Sequence, residues 1–265
     1  MQKTIGLMVV VILLVGAVLG YYYMQENAAP VTPPPVVVAP PTVAPPPVEE
    51  VQAQPVQETV QPALPQLKDS DAVMQEVFTE LLTGNTFKKY FRLEEIVRHI
   101  VVTIDNLPRK TAAERLFPTK PVSGKFITKG EEESLAIASK NAARYTPYVS
   151  IAETVDTKKL LATYSRYYPL FQRAYQELGY PTGTFNDRLV TVIDHLLDAP
   201  EIKGSVRLTQ PHVLYQYANP ALEGQSAGRK ILMRMGRENA AKIKNKLREI
   251  RRELTIQFAK QLPTG

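Results

Sequence analysis

Leu160-Leu161-Ala162-Thr163-Tyr164-Ser165-Arg166-Tyr167-Tyr168-Pro169-Leu170-Phe171-Gln172-Arg173-Ala174-Tyr175-Gln176-Glu177-Leu178-Gly179 decides the fold class. Leu160, Tyr164, Tyr167, Phe171, Ala174 and Leu178 recur at spacings of four and three, which places them along one stripe of an α-helix. Asp156 marks the start and Gly179 the stop. Pro169 inside the pattern removes a backbone donor and crowds the preceding turn, so a kink or a break is expected there.

The same reading extends in both directions. Thr184 with Asp187 three residues on resembles a capping box, followed by a helix that buries Leu189, Val190, Ile193, Leu196 and Leu197. Ser226 caps a further helix that Gly236 interrupts. The last helix carries Ala240, Ile243, Leu247, Ile250 and Leu254, a narrow apolar seam. Upstream, Ser70 opens a run through Val73, Val77 and Leu81 that ends at Gly84. Leu93, Ile96, Val97, Ile100, Ile104 and Leu107 form a second stripe closed by Pro108. Residues 118–142 are mixed, with a short strand expected at Lys125-Phe126-Ile127-Thr128, and 205–217 can hold a short strand pair. The expected class is mainly α: one irregular helical globular domain over 67–265, with at most a short β hairpin.

The N-terminal third is of another kind. Thr4 to Tyr23 is twenty uncharged residues, TIGLMVVVILLVGAVLGYYY. At ~1.5 Å per residue a helix of that length spans about 30 Å, the thickness of a bilayer core. Lys3 precedes it and no Lys or Arg follows until Lys68. The positive-inside rule puts residues 1–3 in the cytoplasm and the rest outside, with 4–23 a signal-anchor helix and Tyr21, Tyr22 and Tyr23 at the outer interface. A cleaved signal peptide is the alternative, but cutting near Ala17 leaves apolar Val18–Tyr23 on the mature end. Residues 24–66 read as a linker: 12 of the 22 prolines lie between Pro30 and Pro65, a composition that favours polyproline II over a packed core.

The chain has no cysteine, which excludes disulfides, thiol catalysis and an N-terminal lipid on cysteine. The formal charge of +6 is unevenly spread. Residues 229–260 hold 11 basic side chains against Glu238, Glu249 and Glu253.

A resemblance rests on several segments: Leu67-Lys68-Asp69-Ser70-Asp71, Tyr167-Tyr168-Pro169-Leu170, Gln176-Glu177-Leu178-Gly179-Tyr180-Pro181, Phe185-Asn186-Asp187-Arg188-Leu189, Asp194-His195-Leu196-Leu197, Tyr217-Ala218-Asn219-Pro220-Ala221-Leu222-Glu223 and Leu232-Met233-Arg234-Met235-Gly236. Over about residues 64–255 the chain resembles the bacterial family called domain of unknown function 3014. In that family a proline often follows the glycine, where this chain has Arg237, which weakens the signal for a helix break at Gly236. The resemblance implies an envelope location in Gram-negative bacteria, behind a membrane span and a proline-rich linker. It brings no activity and no catalytic residues.

Motifs that carry chemistry are few. Gly224-Gln225-Ser226-Ala227-Gly228 matches G-x-S-x-G, but a nucleophile elbow needs a preceding strand and a histidine later in the chain, and none lies after His212. A helix N-cap is the preferred reading of Ser226. Thr191, Asp194, His195 and Asp198 share one helical face with Asp187 a turn earlier, which suits metal binding or proton transfer, or simply a solvated face. His99 beside Glu95 and Thr103 reads as a surface histidine. The tyrosines Tyr145, Tyr148, Tyr164, Tyr167, Tyr168, Tyr175, Tyr180, Tyr215 and Tyr217 either fill the core or line a glycan groove, and the absence of Trp weakens the groove. No cofactor, metal site or catalytic residue is indicated.

The expectation is therefore a non-enzymatic binding or scaffolding protein of the bacterial inner membrane, single-pass, with its domain in the periplasm. Its binding residues are Arg237, Lys242, Lys246, Arg248 and Arg252, facing an acidic protein or an anionic cell-wall component, with no nucleic acid expected. The alternative is a tethered hydrolase of a peptidoglycan-type polymer that uses carboxylates such as Asp187 and Asp194.

Overall fold

The computed structural model describes residues 63–82 and 85–261. The expected span at 4–23, the linker up to residue 62 and Gly84 lie outside them. Among the described residues no helix is long and apolar enough to cross a membrane.

The domain is mainly helical. In chain order it comprises α1 (Asp71–Leu81), α2 (Thr86–Tyr90), α3 (Ile96–Asn106), β1 (Thr128–Lys129), β2 (Ala136–Ile137), α4 (Thr146–Thr154), α5 (Thr157–Glu177), α6 (Phe185–Leu197), β3 (Leu208–Thr209), β4 (Gln216–Tyr217), α7 (Pro220–Glu223), α8 (Ala227–Arg234) and α9 (Arg237–Gln261), with short 3-10 turns between. Its centre is formed by α3, α5, α6 and α9. The helix α3 packs on α5 and α6, and α9 crosses α4, α5 and α6. One continuous core results, with Ile100, Ile104, Leu161, Phe171, Ile193 and Leu247 among its buried members.

Pro169 does not break α5, which runs unbroken from Thr157 to Glu177. Buried Tyr164, Tyr167, Tyr168, Leu170, Phe171 and Ala174 flank the proline on both sides, and their packing outweighs one missing backbone hydrogen bond. Packing also chooses the face of α1. Met74 and Phe78 are the buried pair, while Val73 and Val77 are only partly covered. Ser70 precedes α1, but its Oγ donates to the Leu67 carbonyl (2.8 Å) rather than capping the helix.

The α3 N-terminus shows a device that sequence spacing hides. Glu95, just before α3, has φ of 46°. The carboxylate of Asp71 accepts from the backbone N–H of Glu95 at 2.7 Å and of Ile96 at 2.9 Å. One helix thus caps another across 25 residues, satisfying first-turn donors that would otherwise be orphans.

Two short antiparallel pairs are present where at most one hairpin was expected: β1 with β2 and β3 with β4. They are joined edge to edge. Ile137 N–H donates to the Val206 carbonyl at 2.9 Å and Leu208 N–H to Leu135 at 2.8 Å. The expected strand at 125–128 begins at Thr128 instead. This small sheet has its own cluster around Leu208, Tyr217 and Met233. It leans on the junction of α8 and α9, where Gly236 takes φ of 85°. A left-handed residue ends α8 and lets α9 restart in a new direction, so the break stands despite Arg237.

Candidate functional site

The seam of α9 is buried as the spacing requires: Ile243, Leu247 and Ile250 are fully covered, and Leu254 nearly so. The basic residues of α9 then divide into three groups by where the seam turns them. Lys244 lies beside the seam and is only 6% exposed; its Nζ donates to the Ala199 carbonyl at 2.6 Å, just past the C-terminus of α6. Lys246 points inward at the junction of α4 and α5. Its Nζ reaches Glu249 at 2.8 Å, Val155 O at 3.2 Å and Thr157 Oγ1 at 3.3 Å. Burial pushes the Glu249 carboxyl up, but hydrogen bonds from Lys246 and Thr157 outweigh it and hold the group below its usual range. Arg251 forks onto Asp194 of α6, with Nε 3.0 Å and Nη2 3.3 Å from the two carboxylate oxygens.

The third group faces outward. Arg237, Lys242, Arg248 and Arg252 are exposed. Lys242 pairs with Glu153 at 3.0 Å and Arg252 lies 3.8 Å from its neighbour Glu253. Arg248 Nη1 donates to Asn245 Oδ1 at 2.8 Å. Among the described residues neither Arg237 nor Arg248 has an ion-pair partner. Of the five expected binding residues, four are therefore exposed and Lys246 is not.

The acidic face of α6 is dispersed rather than assembled. Asp187 sits in the first turn with Thr184, whose Oγ1 donates to its carboxylate at 2.6 Å and accepts its N–H at 3.1 Å. Asp194 is held by Arg251, and Asp198 lies 3.7 Å from Arg229. Thr191 Oγ1 turns back to the Asp187 carbonyl at 2.8 Å. No group of three or more His, Asp or Glu side chains among the described residues could hold a metal.

His195 is drawn instead to the G-x-S-x-G segment. Its Nε2 lies 2.8 Å from Ser226 Oγ, a contact that sequence order gave no reason to expect. A serine and a histidine in hydrogen-bond reach begin a nucleophile pair, but the other requirements are missing. Ser226 is the N-cap of α8, accepting the Arg229 N–H at 3.3 Å. The adjacent N–H groups of Ala227 and Gly228, which an oxyanion would need, donate to Arg109 O at 2.7 Å and Leu107 O at 2.9 Å. Burial lowers the His195 pKa, and Arg229 lowers it further. The motif's last glycine has a packing reason: a Cβ on Gly228 would meet Leu196 Cδ2 at 2.6 Å and Leu107 Cβ at 3.1 Å.

The remaining candidates are mostly structural. Tyr145, Tyr148, Tyr164, Tyr167, Tyr168, Tyr175 and Tyr217 are buried, and Tyr164 stands edge-on to Phe171 at 5.0 Å. They fill the main core and, for Tyr217, the small cluster under the sheet. His99 keeps 14% of its side chain exposed, and burial lowers its pKa.

Sequence reasoning missed a buried polar cluster around Asp105. Asp105, 4% exposed at its side chain, receives Arg109 Nη2 at 2.6 Å and Arg188 Nε at 2.9 Å. Tyr180 Oη joins at 3.3 Å, and Arg188 also bonds the Asp105 backbone carbonyl at 2.7 Å. The only signal was an aspartate inside an apolar run. Missed too are two grooves. One of about 880 Å³ lies beside Pro169 and residues 64–68, with Arg98, Arg173 and Glu177 among its lining. The other, about 810 Å³, lies between the small sheet and the start of α9, with Lys129, Lys203, Arg234 and Arg237 in its walls.

These features define a mainly helical domain ending in one long basic helix, some of whose cations are paired with carboxylates and some exposed. The chain belongs to the family described as Protein of unknown function (DUF3014), whose model matches residues 96–251. That stretch runs from the start of α3 into α9 and lies within the region of the resemblance. No curated protein and no solved structure matches the chain.

Proposed function

We propose that the protein is a non-enzymatic binding or scaffolding module of the bacterial envelope. In this reading residues 4–23 anchor it in the inner membrane, residues 24–66 hold it off the bilayer, and the domain works in the periplasm. The outer face of α9 meets an anionic wall component or an acidic protein. One observation carries the reading: among the described residues Arg237 and Arg248 stand exposed without an ion pair, on the same helix as exposed Lys242 and Arg252. Unneutralised charge of one sign creates a field that attracts the opposite sign and is not needed to stabilise a helix. The hydrolase alternative gains no such support, because Asp187, Asp194 and Asp198 are each engaged by a neighbour.

Two experiments test it. A reporter that works only outside the cytoplasm, fused after Gly265, should be active; activity only from a cytoplasm-dependent reporter reverses the topology. A photo-crosslinking residue at Arg248 should trap one recurrent species in intact cells, and the same residue at exposed Lys158 should not. Identical products from both positions would remove α9 as the contact face.

A further inference from the structure

A buried ammonium requires compensation, and Lys244 is only partly compensated. A lysine has three donors and a full charge. At 6% exposure Lys244 uses one donor, on the Ala199 carbonyl, and forms no ion pair among the described residues. The C-terminus of α6 behind that carbonyl supplies roughly half a unit of negative charge. An ammonium buried against apolar side chains with half its charge unanswered is costly.

Lys244 also lines a cavity. A pocket of about 250 Å³ is bounded by Lys244, Arg237, Ile202, Leu232, Met233 and Ala240, together with the exposed Ala241. Ile202, Met233, Gly236 and Arg237 line both this pocket and the groove of about 810 Å³. The groove adds Lys129, Lys203 and Arg234, the last placed over the Tyr217 ring at 5.7 Å. Five cations thus line the two spaces, against Glu201 in the pocket and Glu238 in the groove. Gly236, the residue before α9, has no side chain to accept the first-turn N–H groups of that helix, which add a partial positive charge.

We propose that this pocket and groove form a binding site for a short peptide carrying a carboxylate flanked by small apolar side chains. The carboxylate enters the pocket and completes the shell of Lys244, with Arg237 at the boundary between the two spaces. Ile202, Val206 and Met233 receive the neighbouring side chains, and Lys129 and Lys203 meet a second carboxylate or the chain terminus. A carboxylate fits better than a phosphate, because the pocket of about 250 Å³ beside Lys244 is walled by Ile202, Leu232 and Met233, where a second negative charge would be costly to desolvate. The site deepens the binding reading above and rests on it for the source of the peptide, but it places recognition in a cleft instead of on the open face of α9.

The test uses the full chain in detergent micelles and a dye-labelled probe, Ala-Glu-Ala-Ala with a free C-terminus, followed by fluorescence anisotropy. Saturable binding is expected, and replacing the glutamate by glutamine and amidating the C-terminus should abolish it. Lys244→Met should weaken binding about tenfold or more, the loss of one charge-assisted contact. Ala241→Phe fills the pocket from an exposed helix position and should weaken it comparably without unfolding the domain. Arg248→Glu with Arg252→Glu should leave it within about twofold, apart from what added salt also removes. No saturable binding, or equal binding by wild type, Lys244→Met and Ala241→Phe, overturns the site. Loss of binding in the Arg248→Glu, Arg252→Glu variant alone overturns the cleft while leaving the open-face reading standing.

Discussion

Asp105→Asn removes one charge and almost no volume from a buried carboxylate that three side chains engage. The wild-type carboxylate joins α3 to α6 through Arg188, and to the segments that follow α3 and α5 through Arg109 and Tyr180. The two arginines do not contribute equally. Arg109 is 54% exposed, so solvent screens its pair with Asp105 to about 0.5–1 kcal/mol. Arg188 is 25% exposed against 4% for Asp105, and a hydrogen bond to a charged partner in that setting is worth about 1.5–3 kcal/mol. The asparagine amide also turns a donor toward arginine donors. A total loss of roughly 3 kcal/mol follows, which for a domain of this size lowers Tm by about 6–12 °C. Thermal melting followed by circular dichroism measures it. A double-mutant cycle with Arg188→Gln should return a coupling of at least about 1.5 kcal/mol. A Tm shift under about 2 °C, or a coupling near zero, would refute the claim that this buried carboxylate organises the α3–α6 contact.

Five further outcomes are expected. Gly228→Ala, stabilising in an ordinary helix by up to about 1 kcal/mol, should here destabilise by about 1–2 kcal/mol, because its Cβ collides with buried Leu196 and Leu107; a raised Tm contradicts the packing argument. Ser226→Ala should cost about 1–2 kcal/mol through the lost cap of α8 and the unpaired His195, and an unchanged Tm would contradict the cap. Lys246→Glu should destabilise by about 2 kcal/mol or more while Arg252→Glu stays within about 0.5 kcal/mol; equal effects would erase the distinction between inner and outer cations. Burial lowers His99 and His195 below the ordinary 6.5, so the unfolded chain takes up protons first. Stability is then full above about pH 6.5, falls as pH drops below it, and levels off under the folded-state pKa values; a melting temperature flat from pH 8 to 5 would contradict this. On the alkaline side, burial pushes Tyr217 up to about 12, and stability should decline from about pH 10 toward that value.

The long helices were legible because their stabilisation is periodic burial. Leu160, Tyr164, Tyr167, Phe171 and Ala174 lie on the buried face that the spacing marks, as do Ile243, Leu247, Ile250 and Leu254. What failed to show was non-local. Asp71 caps α3 from another helix, and Asp105 collects arginines 4 and 83 residues away. Ser226 meets a histidine 31 residues earlier in the chain. The two strand pairs are two residues long, too short for alternation to declare itself. The basic run of α9 read as one face because the count of charges says nothing of direction. A seam of apolar residues at spacings of three and four forces Lys244 and Lys246 inward between the exposed arginines, so a single helix carries both structural and unspent cations.

The claim that the unspent cations bind an envelope anion is tested most directly by capture. Full-length protein in detergent, immobilised through its C-terminus, is exposed to solubilised envelope at about 0.05 M salt and eluted by raising salt toward about 0.5 M, across which the Debye length shortens through roughly 10 Å at 0.1 M. The comparison protein carries Lys242, Arg248 and Arg252 changed together to Glu, all exposed positions, with Arg237 and Lys246 left in place. The account predicts one anionic species retained by the wild type, released as salt rises, and lost from a variant whose melting temperature is nearly unchanged. Equal retention by both proteins, or retention that salt does not weaken, would contradict it.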